Sequence, residues 1–201
     1  TTTKEIVAAI LAQKYQVHKT PENINTLLGI AQWIREANFT RGDIVIVEMG
    51  AYRRGDIAKI ASLIRPTVGI LTGINEAHRE RFETLEATQA AKCELFDALP
   101  NGGIGLWNED SELLNQAVDA RKDAWKMRGI ALQLYGKQGT RELQIACDVS
   151  DETTTLVRVS SQKNPLWNME QKINLLGAHC GEPISAALIL ADSLGLSRDE
   201  I

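Results

Sequence analysis

Hydrophobic and polar positions along the chain predict strands that alternate with helices. Continuous apolar runs at residues 44–48, 67–71 and 104–107 have the length and composition of strands buried on both faces. Apolar residues at helical spacing occupy the stretches between and around these runs. The helices predicted in this way cover residues 4–15, 24–37, 56–64, 84–98, 110–120 and 184–194. The pattern therefore predicts an α/β fold with a mostly parallel sheet and helices on both of its faces.

The pattern changes between about residues 129 and 161, where apolar and polar residues alternate with a period of two. Residues 131–135, 142–149 and 154–160 show this alternation, and glycines or an aspartate separate them. It predicts a small antiparallel sheet on the edge of the main one. We expect residues 162–172 to form a loop, and Gly195 to end the last helix.

Lys92 interrupts the apolar face of the helix predicted at 84–98. Positions 85, 88, 92, 95, 96 and 99 share one face at helical spacing, and the other five are Leu, Thr, Leu, Phe and Leu. A lysine on a buried face is costly unless it has a partner or a changed chemical state. The alternative is an ammonium that extends past its apolar neighbours into water.

Composition places the chain among soluble, reduced proteins of one domain. It has 201 residues, of which 44% are hydrophobic, and a formal net charge of −4, which gives no support for a nucleic-acid surface. The three cysteines, Cys93, Cys147 and Cys180, have no CxxC spacing and fit a reducing cytoplasm. No apolar run approaches the roughly 18 residues of a membrane span.

Two segments carry oxygen ligands next to predicted elements. Thr1 and Thr2 open a threonine run directly before a helix. Such a run occurs after the Gly-Lys of a phosphate loop, but it also occurs as a simple helix N-cap. Glu48 ends the strand at 44–48, where ligands of parallel sheets bind, and a carboxylate suits magnesium. An ion pair with Arg53 or Arg54 is the alternative for Glu48.

Polar residues also follow other predicted elements. His78 comes after the strand at 67–71 and can reach the same crevice, or it serves as a hydrogen-bonded structural residue. Asn23 and Asn25 precede a helix, where turn-forming and capping roles also explain them. After the strand at 104–107, Asp110 is the expected helix N-cap.

Taken together, these segments resemble the central, ATP-binding domain of the Mur ligase family. The matching pieces follow family order and spacing over most of residues 1–196, least well at 111–170. They are TTTKE, TPENINTLLGI, VIVEMGAYRRGDI, IRPTVGILTGINEAHRERF, LEATQAAKCELFDALPNGG, LWNED and INLLGAH. The resemblance implies a sheet of the phosphate-loop NTPase type. It also implies that residues 1–201 are this domain, incomplete at its N-terminus, without the N-terminal and C-terminal ligase domains.

The resemblance also implies roles for individual residues. Lys92 matches the lysine that the family carbamylates with carbon dioxide, which turns an ammonium into an anionic oxygen ligand; Lys92 and His78 are the implied catalytic residues. The implied magnesium ligands are Thr1, Glu48, His78 and carbamylated Lys92. The implied ATP-binding residues are Thr1, Thr2, Asn23, Asn25 and His179.

The activity that the resemblance implies is ATP-dependent amide bond formation through an acyl phosphate, in the cytoplasm. The pieces are most similar to members that add D-alanyl-D-alanine to a UDP-muramoyl peptide, with no nucleic-acid partner. Folylpolyglutamate and cyanophycin synthetases share the chemistry and stay open as alternatives. A diverged, non-catalytic nucleotide-binding module is another alternative, as is an unrelated phosphate-loop ATPase.

The sequence departs from the family pattern in several places, and one of them is the turn before His78, where Gly73 and Asn75 replace the usual Asn and Gly. The phosphate-loop Gly-Lys is not in this chain, so we expect the chain alone not to turn over. Cys180 and Pro183 stand where the family usually has asparagines, and a proline cannot make the side-chain contact with adenine that the second asparagine makes. The adenine site therefore differs from that of the family.

Overall fold

The structure is a computed structural model that describes residues 1–51, 53–74, 84–137, 143–151, 153–162, 167–174 and 180–201. The chain divides into two compact units, one of Thr1 and His18–Gln133, the other of Thr2–Val17 and Leu134–Ile201. The α-helices are α1 Thr2–Leu11, α2 Leu27–Glu36, α3 Asp56–Ile64, α4 Leu85–Asp97, α5 Glu112–Asp119, α6 Lys122–Met127 and α7 Gly181–Ser193. The strands are β1 Val17–Lys19, β2 Ile44–Ile46, β3 Val68–Leu71, β4 Ile104–Asn108, β5 Ala131–Tyr135, β6 Leu143–Val149, β7 Thr155–Ser161 and β8 Met169–Ile173.

Parallel strand pairing in the first unit confirms the predicted α/β class. β3 pairs with β4 in parallel, from Val68 opposite Ile104 to Leu71 opposite Trp107, and β5 lies on the other side of β4. β1 and β2 form a two-stranded sheet. Strands β3 and β4 are joined through α4, which is the crossover that parallel pairing requires.

The prediction that residues 44–48 form a strand buried on both faces is wrong in part. β2 has only three residues, and the side chain of Val45 is 41% exposed. Within the described residues β2 pairs only with β1, so it is an edge strand of a small sheet and not a central strand. An apolar run reports composition, not the number of neighbouring strands.

A pair of glycines on adjacent strands lets α4 pack closely against the sheet. Gly69 of β3 lies opposite Gly105 of β4. A Cβ atom at Gly105 would lie 3.0 Å from Phe96 Cζ, and one at Gly69 would lie 3.0 Å from Leu95 Cγ. The ring of Phe96 fills this space and meets Trp125 edge-on, with 5.2 Å between ring centroids. The glycine pair therefore fixes the distance from α4 to the sheet.

The second unit holds the predicted antiparallel sheet, but its membership differs from the prediction. β6, β7 and β8 pair antiparallel in that order, whereas β5 joins the sheet of β4. Residues 131–135 were expected in the antiparallel sheet, and alternation alone does not tell which neighbour a strand has. The prediction of a loop at 162–172 is wrong where β8 begins at Met169. The strand was missed because Glu170, Gln171 and Lys172 are all exposed on an edge strand and show no apolar alternation.

Helix α7 packs against α1 in the same unit and is the most completely buried helix. Gly195 follows the C-terminal end of α7 with a φ of +72°, which confirms the prediction that it ends this helix. The backbone N–H of Leu196 bonds to the carbonyl of Ala191 at 3.0 Å, which closes a Schellman motif. No helix in the described ranges is both long and apolar enough to cross a membrane.

Candidate functional site

Thr1 and Glu48, which are 47 positions apart in sequence, meet at the end of β2. The Thr1 hydroxyl lies 2.9 Å from one carboxylate oxygen of Glu48 and 3.0 Å from the other. Buried Thr20 holds the backbone there, because its hydroxyl accepts from the Glu48 N–H at 3.1 Å and its own N–H donates to the Ile46 carbonyl at 3.0 Å. Two of the predicted site residues are therefore brought together within the first unit.

The alternative ion pair of Glu48 with Arg53 is not what the structure has. The Arg53 guanidinium lies 3.6 Å from the carboxylate of Asp56, and the Arg53 N–H donates to the same side chain. Glu48 keeps a quarter of its side chain exposed, beside the Thr1 hydroxyl. A carboxylate and a hydroxyl are hard oxygen donors of the kind that magnesium prefers, so the donor set fits that ion.

Asn25 lies against the glycine that follows this carboxylate. The N–H of Gly50 donates to the Asn25 carbonyl at 2.7 Å, and a Cβ atom at Gly50 would lie 3.0 Å from Asn25 Oδ1. Asn23 is an exposed turn residue with a φ of +67°, in a turn closed by the Ile24 N–H on the Pro21 carbonyl. Asn23 thus takes the turn-forming role, whereas Asn25 adjoins the Glu48 segment.

Lys92 is half-buried on α4, between fully buried Ala91 and Cys93. Burial lowers the pKa of its ammonium below the ordinary value of 10.5, because the charged form loses solvation. Within the described part of the chain no group forms a hydrogen bond or an ion pair with Lys92. Burial therefore raises the fraction of the neutral amine, the form that adds to carbon dioxide, above that of an exposed lysine.

The segment after β3 is held by the end of β4 and the start of α5. Buried Asn108 donates to the Thr72 carbonyl at 3.2 Å and accepts from the Asp110 N–H at 3.0 Å. The N–H of Ile74 donates to the Ser111 hydroxyl at 3.3 Å. Ser111, not Asp110 as expected, is the N-cap residue of α5, because the Asp110 N–H is engaged by Asn108.

The remaining predicted site residues lie elsewhere or outside the described residues. Thr2 is exposed and begins α1, in the second unit. His78 and His179 lie outside the described residues. No group of three or more His, Cys, Asp or Glu residues suited to a metal ion occurs in the part that the structure describes. Two of the predicted ligands, the Thr1 hydroxyl and carbamylated Lys92, are not side chains of these four types.

Glu94 is a contact that sequence reasoning missed. It is not one of the positions on the predicted apolar face of α4, yet its carboxylate accepts from the Gly55 N–H at 2.7 Å and the Ala58 N–H at 3.0 Å. Both partners are backbone groups at the start of α3, so no side-chain pattern announces them. A signal existed at Gly55, since the first helical residues follow a glycine that has no capping side chain.

The fold and this strand end define a class: an α/β domain that presents a carboxylate and a hydroxyl just after β2. The Mur ligase middle domain family matches residues 1–191. The chain belongs to this family.

Individual relatives, found by sequence and by structure, are Mur ligases as well. The chain is 32% identical over 201 residues to the UDP-N-acetylmuramoyl-tripeptide--D-alanyl-D-alanine ligase of Synechocystis, covering all of this chain and 40% of that protein. MurF from Acinetobacter baumannii has a TM-score of 0.82 at 20% identity, over 100% of this chain and 42% of its own. The MurF ligase from Thermotoga maritima in complex with ADP has a TM-score of 0.79 at 25% identity, over 98% and 43%. The chain thus spans less than half the length of these relatives.

Proposed function

We propose that this chain is the ATP-binding central domain of a peptidoglycan-precursor ligase, which adds D-alanyl-D-alanine to a UDP-muramoyl peptide in the cytoplasm. The contact of the Thr1 hydroxyl with the Glu48 carboxylate is the observation that carries the proposal. This contact supports a cation and phosphate site at the end of β2, where two hard oxygen donors meet. The names of the relatives support the choice of substrates.

In this proposal Thr1, Glu48, His78 and Lys92 hold magnesium, and Thr2 contacts the phosphates at the start of α1. Backbone N–H groups at a helix N-terminus favour phosphate oxygens there. Asn25, which adjoins Gly50, and His179 complete the nucleotide contacts, with Asn23 in the preceding turn. Bound magnesium supplies charge neutralisation between the phosphates of ATP and the substrate carboxylate.

The reaction proceeds in two displacements. The substrate carboxylate attacks the γ-phosphorus of ATP, which gives an acyl phosphate and ADP. The amine of D-alanyl-D-alanine then attacks the acyl carbon, and inorganic phosphate leaves as the amide forms. Little covalent chemistry falls to the protein, so its residues act by orienting the reactants and by electrostatics.

Lys92 acts in this scheme as a carbamate. The neutral amine, whose fraction burial raises, attacks carbon dioxide, loses a proton and becomes an N-carboxylate. Its anionic oxygens can coordinate a cation, which the ammonium cannot. The role needs no second acidic residue beside Lys92, and no described residue pairs with it.

A second candidate function is a nucleotide-binding module without catalysis. Cys180 and Pro183 are both buried at the start of α7, so neither presents a polar side chain where the family usually has asparagines. Such a module would bind a nucleotide and release no phosphate. A folylpolyglutamate-type ligase would differ only in the acceptor that it needs.

Phosphate release by the full-length protein tests the proposal. We expect release only when magnesium, ATP, a UDP-muramoyl peptide and D-alanyl-D-alanine are present together. Omission of either substrate is the control. Release that depends on a folate acceptor would contradict the choice of substrates, and nucleotide binding without any release would favour the non-catalytic module.

A further inference from the structure

We propose that Glu94 is a positioning residue that holds the helix of Lys92 in register with the segment that follows Glu48. The inference rests on the proposed function, since Lys92 and Glu48 are two of the metal ligands in that scheme. Glu94 itself would touch neither the metal nor the substrates. The inference rests on the hydrogen bonds of Glu94, on its place on α4, and on the way the segment between Glu48 and α3 is anchored.

The contact is a helix cap that is supplied by another helix. The first N–H groups of a helix have no partner within it. Gly55, the N-cap residue of α3, offers no side chain. The two oxygens of Glu94 take the N–H groups of Gly55 and Ala58 at 2.7 and 3.0 Å instead. Charge-assisted bonds of this kind are about twice as strong as neutral ones, so they hold α3 firmly to α4.

The segment between Glu48 and α3 is anchored at both ends. Near Glu48, the Gly50 N–H bonds to the Asn25 carbonyl, while Met49 and Ala51 pack against the buried cluster that contains α4 residues. At the start of α3 the anchor is Glu94. A shift of α3 relative to α4 would therefore change the place of this whole segment relative to α4.

Glu94 and Lys92 lie two positions apart on one rigid helix of 13 residues. Two positions correspond to about 200° of helical rotation, so the two side chains leave α4 on different sides. Glu94 can therefore hold α3 while Lys92 is directed elsewhere. Phe96 fixes the distance of α4 from the sheet, and Glu94 fixes its position along α3.

Metal ligands need this kind of support, because a productive site tolerates only about 0.5 Å of displacement. Residues that orient metal ligands without touching the metal typically matter by about 10- to 100-fold in metal affinity or activity. A simple stabilising cap would instead change melting and leave the kinetics of the folded protein unchanged.

The test compares Glu94→Gln with Glu86→Gln in the full-length protein. Glutamine keeps the size of Glu94 and one acceptor oxygen, so the protein should fold, and Glu86 is an exposed residue of the same helix. Glu94→Asp is a second variant, which keeps the charge but shortens the reach. The measurements are kcat, the magnesium concentration for half-maximal phosphate release, the melting temperature, and calorimetric binding of magnesium in the presence of ADP.

We expect Glu94→Gln to raise the half-saturating magnesium concentration, or to lower kcat, by about 10-fold, with Glu94→Asp in between and Glu86→Gln within about twofold of the wild type. A lowered melting temperature with unchanged kcat and magnesium dependence would show a purely structural cap and overturn the inference. If the wild type releases no phosphate, the proposed function fails. The calorimetric binding of magnesium in the presence of ADP then tests the role of Glu94 by itself. Weaker magnesium binding by Glu94→Gln would then support the inference, whereas equal binding, or none in the wild type, would overturn it.

Discussion

At the scale of residues, the candidate site depends on two unusual side-chain environments. Lys92 is half-buried and its pKa is lowered, with no partner among the described residues. Glu48 meets a hydroxyl donor rather than the arginine that follows it in sequence. The Glu48 carboxylate and the Thr1 hydroxyl are hard oxygen donors of the kind that magnesium prefers, and a carbamate on Lys92 would add anionic oxygens.

Replacement of Lys92 tests the carbamate. In the full-length protein we expect Lys92→Ala to lower the rate of phosphate release at least about 100-fold, beyond the usual effect of residues outside the ligand sphere. Short carboxylic acids should restore part of the rate, because a free carboxylate can occupy the place of the carbamate. Lys59→Ala, at an exposed lysine of α3, is the matched control. A fully active Lys92→Ala protein would contradict the role.

Acid titration tests the stability contribution of Asp43. Its pKa lies below the ordinary 3.8, first because the Thr40 N–H donates to it, then through the Thr40 hydroxyl and His18. A carboxyl group with a lowered pKa stabilises the folded state above its unfolded pKa, and the contribution disappears as pH falls through the folded pKa. Urea midpoints should therefore fall more steeply below about pH 4 in the wild type than in Asp43→Asn.

Exposed Asp123 provides the control for this titration. We expect the midpoints of Asp123→Asn to follow the wild type at every pH. Parallel curves for the wild type and Asp43→Asn would contradict the contribution assigned to Asp43.

At the scale of elements, patterning predicted the long amphipathic helices best. α3 has the predicted bounds, and α4 begins and ends within one residue of them, because their apolar spacing is local, as is the Thr84 cap of α4. β1 and α6 were missed because three and six residues are too few to show a period. The sheet that β5 joins depends on β4, 27 positions earlier at their first residues, which no local pattern reports.

The site shows the same division between local and distant signals. Thr1, Glu48 and Lys92 could be predicted as site residues because each stands at an element boundary or breaks an apolar face. Glu94 was missed because its partners are backbone groups 36 or more positions away. Thr20 was missed because its role depends on the pairing of β1 with β2.

Substitution of Gly105 tests how closely α4 packs on the sheet. A Cβ atom there would lie 3.0 Å from two ring atoms of Phe96, which is fully buried and packed against Trp125. Since the ring has little room to move, we expect Gly105→Ala to lower the free energy of unfolding by about 1–3 kcal/mol.

Gly73→Ala is the matched control for this stability measurement, because the nearest atom to its Cβ position is 4.0 Å away. Urea denaturation of both variants checks the difference. Equal stability of Gly105→Ala and the wild type would show that α4 can move away from the sheet at little cost.

At the scale of the whole molecule, the chain is a middle domain that spans 40% of its Synechocystis relative. β2, β3 and β4 belong to the first unit, in two sheets, whereas the antiparallel sheet of β6, β7 and β8 belongs to the second. Thr1, Glu48 and Lys92 all belong to the first unit, whereas Thr2 begins the first helix of the second. Because the chain spans only part of its relative, experiments on ligand selection need the full-length protein.

A crystal structure of the full-length protein with magnesium and a non-hydrolysable ATP analogue tests the central claim most directly. We predict a carboxylate on Lys92 Nζ, and magnesium at about 2.0–2.1 Å from oxygens of Thr1 and Glu48, beside the terminal phosphates. An unmodified Lys92 ammonium, with the metal held by other residues and Glu48 directed away from it, would contradict the claim.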